Sequence, residues 1–216
     1  MGTVLLTGFA PYGGRGRNPS AEVVAALDGS DIAGHAVRGV VLPVALAGLR
    51  DRLAAAVRDT SPRAVVSLGL YPGEPAIRLE RVAVNHLSFE IPDNEGAVFR
   101  GPARPDGPAA YLSRLPLEVI QERLLAAGIP SHLSGTAGAF LCNALMYHTL
   151  DLLDPGIPAG FVHLPYLPAQ VATMIQALAA EGRLELGQRA DLASMALETI
   201  VEAVQIVIAT TVETVA

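Results

Sequence analysis

Short apolar runs alternate with amphipathic segments along the chain. The runs end at turn-forming residues, which is typical of buried strands, and they cover residues 4–7, 36–42, 64–68, 131–135 and 159–164. Helical spacing of the hydrophobic residues predicts helices at residues 20–27, 46–59, 117–127, 140–153, 168–181 and 188–212. Ser20 is the predicted N-cap of the first helix. Residues 80–85 alternate in part and predict a further strand, whereas residues 86–116 are rich in proline and glycine and predict irregular structure.

This order of elements predicts an α/β layer fold with a largely parallel sheet. No linker, change of composition or internal repeat divides the sequence, so we expect a single domain over residues 1–216. In sheets of this kind, ligand sites gather outside the carboxyl ends of the strands. Residues that directly follow strands are therefore the first candidates for function.

The composition is typical of a folded protein and argues against some classes of binding partner. Hydrophobic residues make up 51% of the 216 positions and charged residues 17%, so the chain can bury a large core and wholesale disorder is excluded. The net charge is −6 and no basic run is present, which argues against nucleic-acid partners and anionic membrane surfaces.

The location of the protein is predicted from its ends and its cysteine content. The N-terminus passes from a short apolar run into glycines without a basic segment, and residues 200–212 are too short and too polar to span a bilayer. A single cysteine excludes an internal disulfide. We expect a cytoplasmic protein with no membrane partner.

Cys142 is a candidate nucleophile. It follows a strand and the small-residue turn GTAG, near the predicted start of a helix. Unpaired backbone N–H groups and the helix dipole at such a position favour a thiolate and could hold an oxyanion. The competing interpretation is a buried cysteine that packs as a small hydrophobic side chain.

A cysteine nucleophile needs a general base and a group that orients the base. His163 is the best-placed base because it lies at the carboxyl end of a predicted strand, and His86 remains possible. His148 lies six residues beyond Cys142 on the same predicted helix and is too far along it to face the thiol. Spacing alone leaves the carboxylate open; the candidates are Glu80, Asp93 and Glu95.

We expect neither a metal ion nor a cofactor. The His, Cys, Asp and Glu residues show no zinc-ligand spacing. The glycine-rich residues 8–16 fit neither a phosphate-binding loop nor a dinucleotide fingerprint.

Six segments, in order along the chain, resemble the pyroglutamyl peptidase I family, also called pyrrolidone-carboxylate peptidases. They are TGFAPYGG (7–14) with NPS (18–20), ERVAVN (80–85), IPDNEG (91–96), GPAAY (107–111), TAGAFLCN (136–143) and FVHLP (161–165). Each motif alone is weak, whereas six in order are specific.

The resemblance implies a fold, an activity and a set of catalytic residues. The family's nucleophile falls on Cys142, its base on His163 and its acidic member on Glu80. The implied fold is an open three-layer α/β/α sandwich, and the implied assembly is a homo-oligomer, commonly a tetramer. The implied activity is that of a cysteine exopeptidase, an omega peptidase that removes N-terminal pyroglutamyl residues from peptides through a thioester.

The resemblance also implies a slot for the neutral, flat pyroglutamyl lactam. The candidate lining residues are Phe9, Tyr12, Asn18, Leu70, Ile91, Phe140 and Leu141. Main-chain groups near Leu70 and Leu141 are expected to meet the lactam, and Asn18 is expected to order the first loop. For the aromatic residues, packing in the core is the competing interpretation.

Two residues depart from the family pattern. Leu70 stands where the family often has Gln, and Glu90 stands where it usually has Arg, close to the oxyanion. A negative charge there is expected to weaken transition-state stabilisation, unless Arg78 or Arg81 compensates. One alternative is therefore a degenerate family member that binds pyroglutamyl peptides with weak or no turnover. A nucleoside phosphorylase-like enzyme is a second alternative, but it would need a phosphate site that the sequence does not show.

Overall fold

The computed structural model describes residues 2–182 and 192–214 of the protein. Its strands are β1 (Thr3–Phe9), β2 (Asp31–Ile32), β3 (His35–Leu42), β4 (Ala64–Leu70), β5 (Ile77–Glu80), β6 (Val82–Val84), β7 (Leu87–Ser88), β8 (Arg100–Gly101), β9 (Ala110–Leu112), β10 (Ser131–Ser134) and β11 (Ala159–Leu164). Its helices are α1 (Pro19–Leu27), α2 (Leu49–Thr60), α3 (Leu117–Ala126), α4 (Leu141–Leu152), α5 (Pro168–Ala180) and α6 (Leu197–Thr214).

Seven strands form the central sheet, in the order β10-β5-β11-β4-β1-β3-β2. The pairs β1–β3, β1–β4, β4–β11 and β5–β10 are parallel, whereas β5–β11 and β2–β3 are antiparallel. The predicted α/β fold with a mostly parallel sheet is therefore confirmed. Because β5 reverses direction beside β11, its carboxyl end is not at the same edge as that of β11.

Helices cover both faces of the sheet and give the three layers implied by the family resemblance. Side chains of α1, α3 and α6 share one apolar cluster with alternate strand residues such as Val4 and Leu6. Side chains of α2 and α4 share a second cluster on the other face with the intervening residue Leu5. This alternation follows from the pleat, which points successive strand residues to opposite faces.

The N-terminus of α1 differs from the prediction. The N-cap is Asn18 rather than Ser20, because the Asn18 side chain accepts a hydrogen bond from the Ser20 N–H and Pro19 occupies the first helical position. Proline suits that position since the N–H that it lacks would be unpaired there. Asn18 also donates to the Ala10 carbonyl at 3.0 Å, which ties the loop after β1 to the helix start.

The last helix also starts later than predicted. A helix over residues 188–212 was expected, but α6 begins at Leu197, and residues 192–196 before it are not α-helical. The part of that prediction between residues 188 and 191 lies outside the described residues. None of the described helices is both long and apolar enough to cross a membrane.

The single strand predicted at residues 80–85 is two strands in different sheets. β5 ends at Glu80 in the central sheet, and β6 pairs with β9 in a separate two-stranded sheet. The chain turns at Arg81, whose N–H bonds Ser134 and whose carbonyl accepts from Ser113. The segment predicted as irregular, residues 86–116, carries β7, β8 and β9 but is otherwise irregular.

Candidate active site

Cys142 is the second residue of α4, and the small-residue loop 135–140 leads into it from β10. The first hydrogen bond of the helical ladder runs from the N–H of Ala144 to the carbonyl oxygen of Phe140. The N–H groups of Leu141 and Cys142 precede this bond and fall outside the helical ladder. The N–H of Cys142 acts on its own thiol. Unpaired N–H groups at such a helix start can serve as donors to the oxygen of an attacked carbonyl.

Gly69, the last residue but one of β4, makes room for the sulfur. A Cβ atom at position 69 would lie 2.7 Å from Sγ of Cys142 and 2.8 Å from the ring of Phe161. Gly69 is also the residue paired with His163 in the register of β4 with β11. Because paired strands lie about 4.8 Å apart, the sulfur sits over the strand next to the imidazole.

His163 and Glu80 form a buried hydrogen-bonded pair. Nδ1 of His163 lies 2.7 Å from Oε1 of Glu80, and both side chains are almost completely shielded from solvent. The pairing of β5 with β11 places Glu80 opposite Phe161, two residues from His163 on the same face. An ionised carboxylate only accepts hydrogen bonds, so Nδ1 carries the proton and Nε2 is left as an acceptor.

The environment keeps this pair as a carboxylate beside a neutral imidazole. Burial lowers the pKa of His163, and Glu80 offsets that effect only in part. Burial alone would raise the pKa of Glu80, but the hydrogen bond and charge of His163, with further donors, bring that pKa below its usual value. A neutral imidazole with an unprotonated Nε2 can act as a general base near neutral pH.

The ionisation of Cys142 differs from the sequence expectation of a favoured thiolate. Burial, and to a smaller extent the negative charge of Glu80, raise the pKa of the thiol to about 12, and the backbone N–H of Cys142 offsets only a small part of this. The helix N-terminus does act in the expected direction, but desolvation outweighs it. The resting site is therefore a thiol beside a neutral imidazole, and a base must remove the thiol proton during attack.

A cavity of about 380 Å³ opens onto Cys142 and His163. All seven residues predicted to bind substrate line it: Phe9, Tyr12, Asn18, Leu70, Ile91, Phe140 and Leu141. The lining residues that the sequence did not single out for this purpose are Val44, Tyr71, Pro72, Ser88, Glu90, Ala137, Gly138 and Ala139. Several of these could have been found from the segment 135–140, since a loop before a candidate nucleophile must border its site.

The cavity wall is mostly apolar and includes an aromatic cluster. The ring centroids of Phe89 and Phe140 are 4.5 Å apart, and those of Tyr12 and Phe140 are 6.5 Å apart. Tyr12 and Phe140 thus pack against other rings and also border the cavity. The arrangement suits a small, flat and uncharged group.

The other candidate acids and bases lie elsewhere. Asp93 is buried, and its carboxylate accepts hydrogen bonds from the N–H groups of Leu46, Glu95 and Ala97. Glu95 is exposed. His86 is exposed and also lies off the cavity wall.

His148 is a second buried histidine, but it is not part of the cavity wall. Burial, and to a smaller extent the positive charge of the adjacent Arg50, lower its pKa to about 4. Arg50 lies 3.4 Å from Nδ1 of His148, on the side of α4 that packs against α2. His148 therefore has a structural environment rather than a catalytic one.

The two departures from the family pattern, Leu70 and Glu90, both line the cavity. Glu90 is exposed and makes no side-chain hydrogen bond or ion pair with the residues that the structure describes. Neither arginine considered as compensation is on the cavity wall: Arg78 bonds Glu80, and Arg81 pairs with Glu118 on the surface. The negative charge of Glu90 at the cavity is therefore not balanced by either of them.

Within residues 2–182 and 192–214, His, Cys, Asp and Glu side chains form no group of three that could hold a metal ion. The site described above relies on a thiol, an imidazole and a carboxylate from three separate elements: α4, β11 and β5. These are the components of a nucleophilic hydrolase site.

Known proteins resemble the chain over most of its length. The sequence model of the pyroglutamyl peptidase family matches residues 2–214. A pyrrolidone-carboxylate peptidase of Klebsiella pneumoniae is 45% identical over 175 residues, which cover 80% of this chain and 82% of that protein. A pyrrolidone-carboxylate peptidase of Pyrococcus furiosus is 40% identical over 176 residues, which cover 80% of this chain and 85% of that protein.

Solved structures agree with the sequence comparison. A pyrrolidone carboxyl peptidase of Pyrococcus furiosus matches with a TM-score of 0.89 and 36% identity, covering 99% of this chain and 100% of that one. A pyrrolidone carboxyl peptidase of Thermococcus litoralis gives a TM-score of 0.89 and 32% identity, covering 99% of this chain and 94% of that one. The resemblance drawn from the six motifs is confirmed: the chain belongs to the pyroglutamyl peptidase family.

Proposed function

We propose that the protein is a cysteine exopeptidase that removes N-terminal pyroglutamyl residues from peptides, with Cys142 as nucleophile, His163 as base and Glu80 as the acid that orients it. The observation that carries this assignment is the 2.7 Å contact of His163 Nδ1 with Glu80 Oε1. The imidazole of that pair borders the same cavity as the only thiol of the chain.

The reaction begins with proton transfer. Nε2 of His163 takes the thiol proton as Sγ of Cys142 attacks the acyl carbon of the pyroglutamyl group. The N–H groups of Leu141 and Cys142 stabilise the oxyanion of the tetrahedral intermediate. Glu80 stabilises the imidazolium and holds its orientation.

Collapse of the intermediate completes the acyl transfer. The C–N bond breaks, the imidazolium gives its proton to the leaving amine, and a thioester remains on Cys142. A water molecule then attacks the thioester with His163 again as base, releasing pyroglutamate and restoring the thiol.

The cavity chemistry supports selectivity for the lactam. Phe9, Tyr12, Ile91 and the ring of Phe140 offer apolar contact to a flat ring, and main-chain groups near Leu70 and Leu141 can pair with its N–H and carbonyl. An N-terminal Glu or Gln that has not cyclised carries an ammonium group. Burying that group without a partner is costly, so free N-termini are rejected.

A fluorogenic pyroglutamyl amide tests the proposal directly. We expect release of the fluorophore from this amide and none from the glutaminyl amide with a free ammonium group. Cys142→Ala and prior alkylation of the wild type should each abolish release, and Glu90→Gln serves as a folded variant that keeps the thiol and the imidazole. Full activity after either treatment of Cys142 would remove it from the mechanism, and binding of the amide without release would favour the degenerate alternative.

The protein is also proposed to form a homo-oligomer, with a tetramer favoured by the family resemblance. Large apolar side chains exposed on the single chain support association, including Leu112 with 71% and Leu125 with 54% of its surface accessible. Light scattering coupled to size-exclusion chromatography measures the subunit number. A monomer at micromolar concentration would contradict this part of the proposal.

The proposed location is the cytoplasm. The mechanism needs a reduced Cys142, and the cytosol keeps thiols reduced. Peptides with an N-terminal pyroglutamate are the proposed partners, and the net charge of −6 gives no support to nucleic-acid binding. Fractionation of cells followed by activity measurement with the pyroglutamyl amide tests the location.

A further inference from the structure

Arg78 connects the acid of the site to the loop that precedes the nucleophile. Its Nε donates to Oε1 of Glu80 at 2.7 Å, and its Nη2 donates to the carbonyl oxygen of Thr136 at 3.1 Å. The guanidinium lies 4.1 Å from the ring centroid of Tyr71, and Nη1 lies 3.6 Å from Glu74. Only 17% of the Arg78 side-chain surface is accessible, so these contacts are partly shielded from solvent.

The sheet explains why Arg78 reaches this position. In the antiparallel pairing of β5 with β11, Arg78 is directly opposite His163. Paired residues share a face, and so do residues two apart on one strand; Arg78, Glu80 and His163 therefore project from the same face of the sheet. Oε1 of Glu80 accepts from both Arg78 Nε and His163 Nδ1.

We infer that Arg78 is a positioning residue for the reaction, holding the Glu80 carboxylate toward His163 and anchoring the loop before Cys142 through Thr136. This inference rests on the proposed function, because it assigns Arg78 a task in the same proton transfer. Arg78 acts through Glu80 and the loop and does not itself line the cavity.

A positioning role has an electrostatic consequence that a packing role lacks. The positive charge of Arg78 disfavours protonation of His163, so its removal makes the imidazole easier to protonate. The other ionisable groups facing this cluster are Glu80 on β5, Glu74 before β5, Tyr71 after β4 and the thiol of Cys142 on α4. From β10, His132 approaches Glu74 at 3.1 Å and does not contact His163.

Arg78→Met is the principal test, measured as kcat and KM for the pyroglutamyl amide across pH. At low pH, kcat/KM falls as His163 becomes protonated; this part of the profile is its acid limb. We expect the acid limb to move to higher pH by roughly half to one unit in Arg78→Met. We also expect kcat to fall roughly tenfold or more while KM changes less, because Glu80 is less well oriented. The matched control is Arg81→Met, which breaks a surface ion pair with Glu118 and should leave both the limb and kcat unchanged.

Two further variants separate charge from geometry. Arg78→Lys keeps the positive charge, but a single ammonium group cannot bridge Glu80 and Thr136 as the two nitrogens of the guanidinium do. We therefore expect kcat to fall while the pH of the acid limb is unchanged. In Arg78→Ala, added methylguanidinium should restore part of the lost kcat. Circular dichroism establishes which variants are folded, and if Arg78→Met is not folded, the lysine variant decides.

Wild-type kcat together with a wild-type acid limb in folded Arg78→Met would overturn the inference, and so would wild-type kcat in Arg78→Lys. Alkylation keeps the test separate from the proposed function, because Cys142 is the only cysteine of the chain. If the wild type releases no fluorophore, the proposed function fails. The rate of Cys142 alkylation can then still be measured against pH, and the inflection on the acid side of that profile reports whether Arg78→Met raises the pKa of His163. An unmoved inflection would overturn the role of Arg78 in that case too.

Discussion

Gly69 and Cys142 are in direct contact across two elements of the fold: the space that a side chain at position 69 would fill is occupied by the thiol sulfur. A Cβ atom there would be 2.7 Å from Sγ, a separation that real Cβ atoms do not adopt. Gly69 has an ordinary extended backbone within β4. The glycine is therefore required by the close approach of the nucleophile and not by an unusual turn.

Replacing Gly69 with alanine should disable the enzyme. The added methyl group must push the sulfur or the Phe161 ring away, and a shift of about 1 Å in a reacting group can cost roughly a hundredfold in rate. We expect kcat/KM for the pyroglutamyl amide to fall by roughly that factor, with the secondary structure retained.

Gly156→Ala is the control, since nothing lies within 4 Å of a Cβ built at Gly156. It should retain wild-type kcat/KM. An active Gly69→Ala enzyme would show that the thiol can be displaced from this contact without loss of function.

The buried strands could be predicted because both of their faces are covered. Every residue of β4 is buried, so the strand reads as a mostly apolar run in which Ser67 is the one polar side chain. β11 was predicted with its observed bounds. β5 was not predicted with its observed bounds, because it has only four residues and two of them, Arg78 and Glu80, are charged. Its reversal beside β11 follows from the short link after β4, which is too short for a helical crossover.

The chemistry of the site was less accessible to sequence reasoning. Residue type and position at strand ends singled out Cys142 and His163, but the choice of Glu80 over Asp93 depended on family resemblance. The contact between Arg78 and Glu80 depends on strand register, which hydrophobic patterns do not specify for a strand of this length. The desolvation of the thiol likewise depends on how the cavity closes around it.

The raised pKa of Cys142 predicts slow alkylation of the resting enzyme. Only the thiolate reacts, and burial holds the thiol pKa near 12, well above the free-cysteine value of roughly 8.5. The rate with iodoacetamide should therefore keep rising through pH 10 without a plateau. Denatured protein should react faster near neutral pH and level off above the free-thiol pKa.

Mass spectrometry of the intact protein measures this reaction directly, because modification of one cysteine adds one label. A plateau below pH 8 in the folded protein would mean that a thiolate–imidazolium pair already exists at rest. In that event proton removal by His163 would precede substrate binding and would not accompany the attack.

Because Glu90 places a negative charge at the cavity, we expect kcat to depend on the charge at position 90. We expect Glu90→Arg to raise kcat by roughly two- to fivefold, since a positive charge near a developing oxyanion stabilises it and an exposed side chain contributes at most about 1 kcal/mol. Glu90→Gln should lie between wild type and the arginine variant. Added salt should reduce the differences because the side chain is exposed.

Glu95→Arg makes the same change of charge in the same segment but away from the cavity wall, so it should leave kcat unchanged. A fall in kcat, or no change, for Glu90→Arg would indicate a site built around the glutamate. The comparison separates a local effect at the cavity from a change in the net charge of the protein.

Asp151 on α4 anchors residues of three other segments and predicts a pH-dependent contribution to stability. Its carboxylate, with 2% of its side-chain surface accessible, accepts from Arg50 at 2.6 Å, from Tyr111 at 2.6 Å and from Arg104. Burial alone would raise the pKa of Asp151, but these donors hold it below its usual value. The stabilisation is therefore complete above the unfolded-state pKa of roughly 3.9 and is lost as pH falls through the folded-state value.

Asp151→Asn should lower the free energy of unfolding at pH 7 by about 1–3 kcal/mol, because the two ion pairs with Arg50 and Arg104 are lost while the arginines remain partly solvated. Urea denaturation of both proteins at several pH values measures the difference, which should shrink below about pH 4 as the wild-type carboxyl is protonated. Asp59→Asn, on the exposed end of α2, should change stability by less than about 0.5 kcal/mol. A difference that stays constant down to pH 3 would show that the shape of the side chain, and not its charge, holds the segments together.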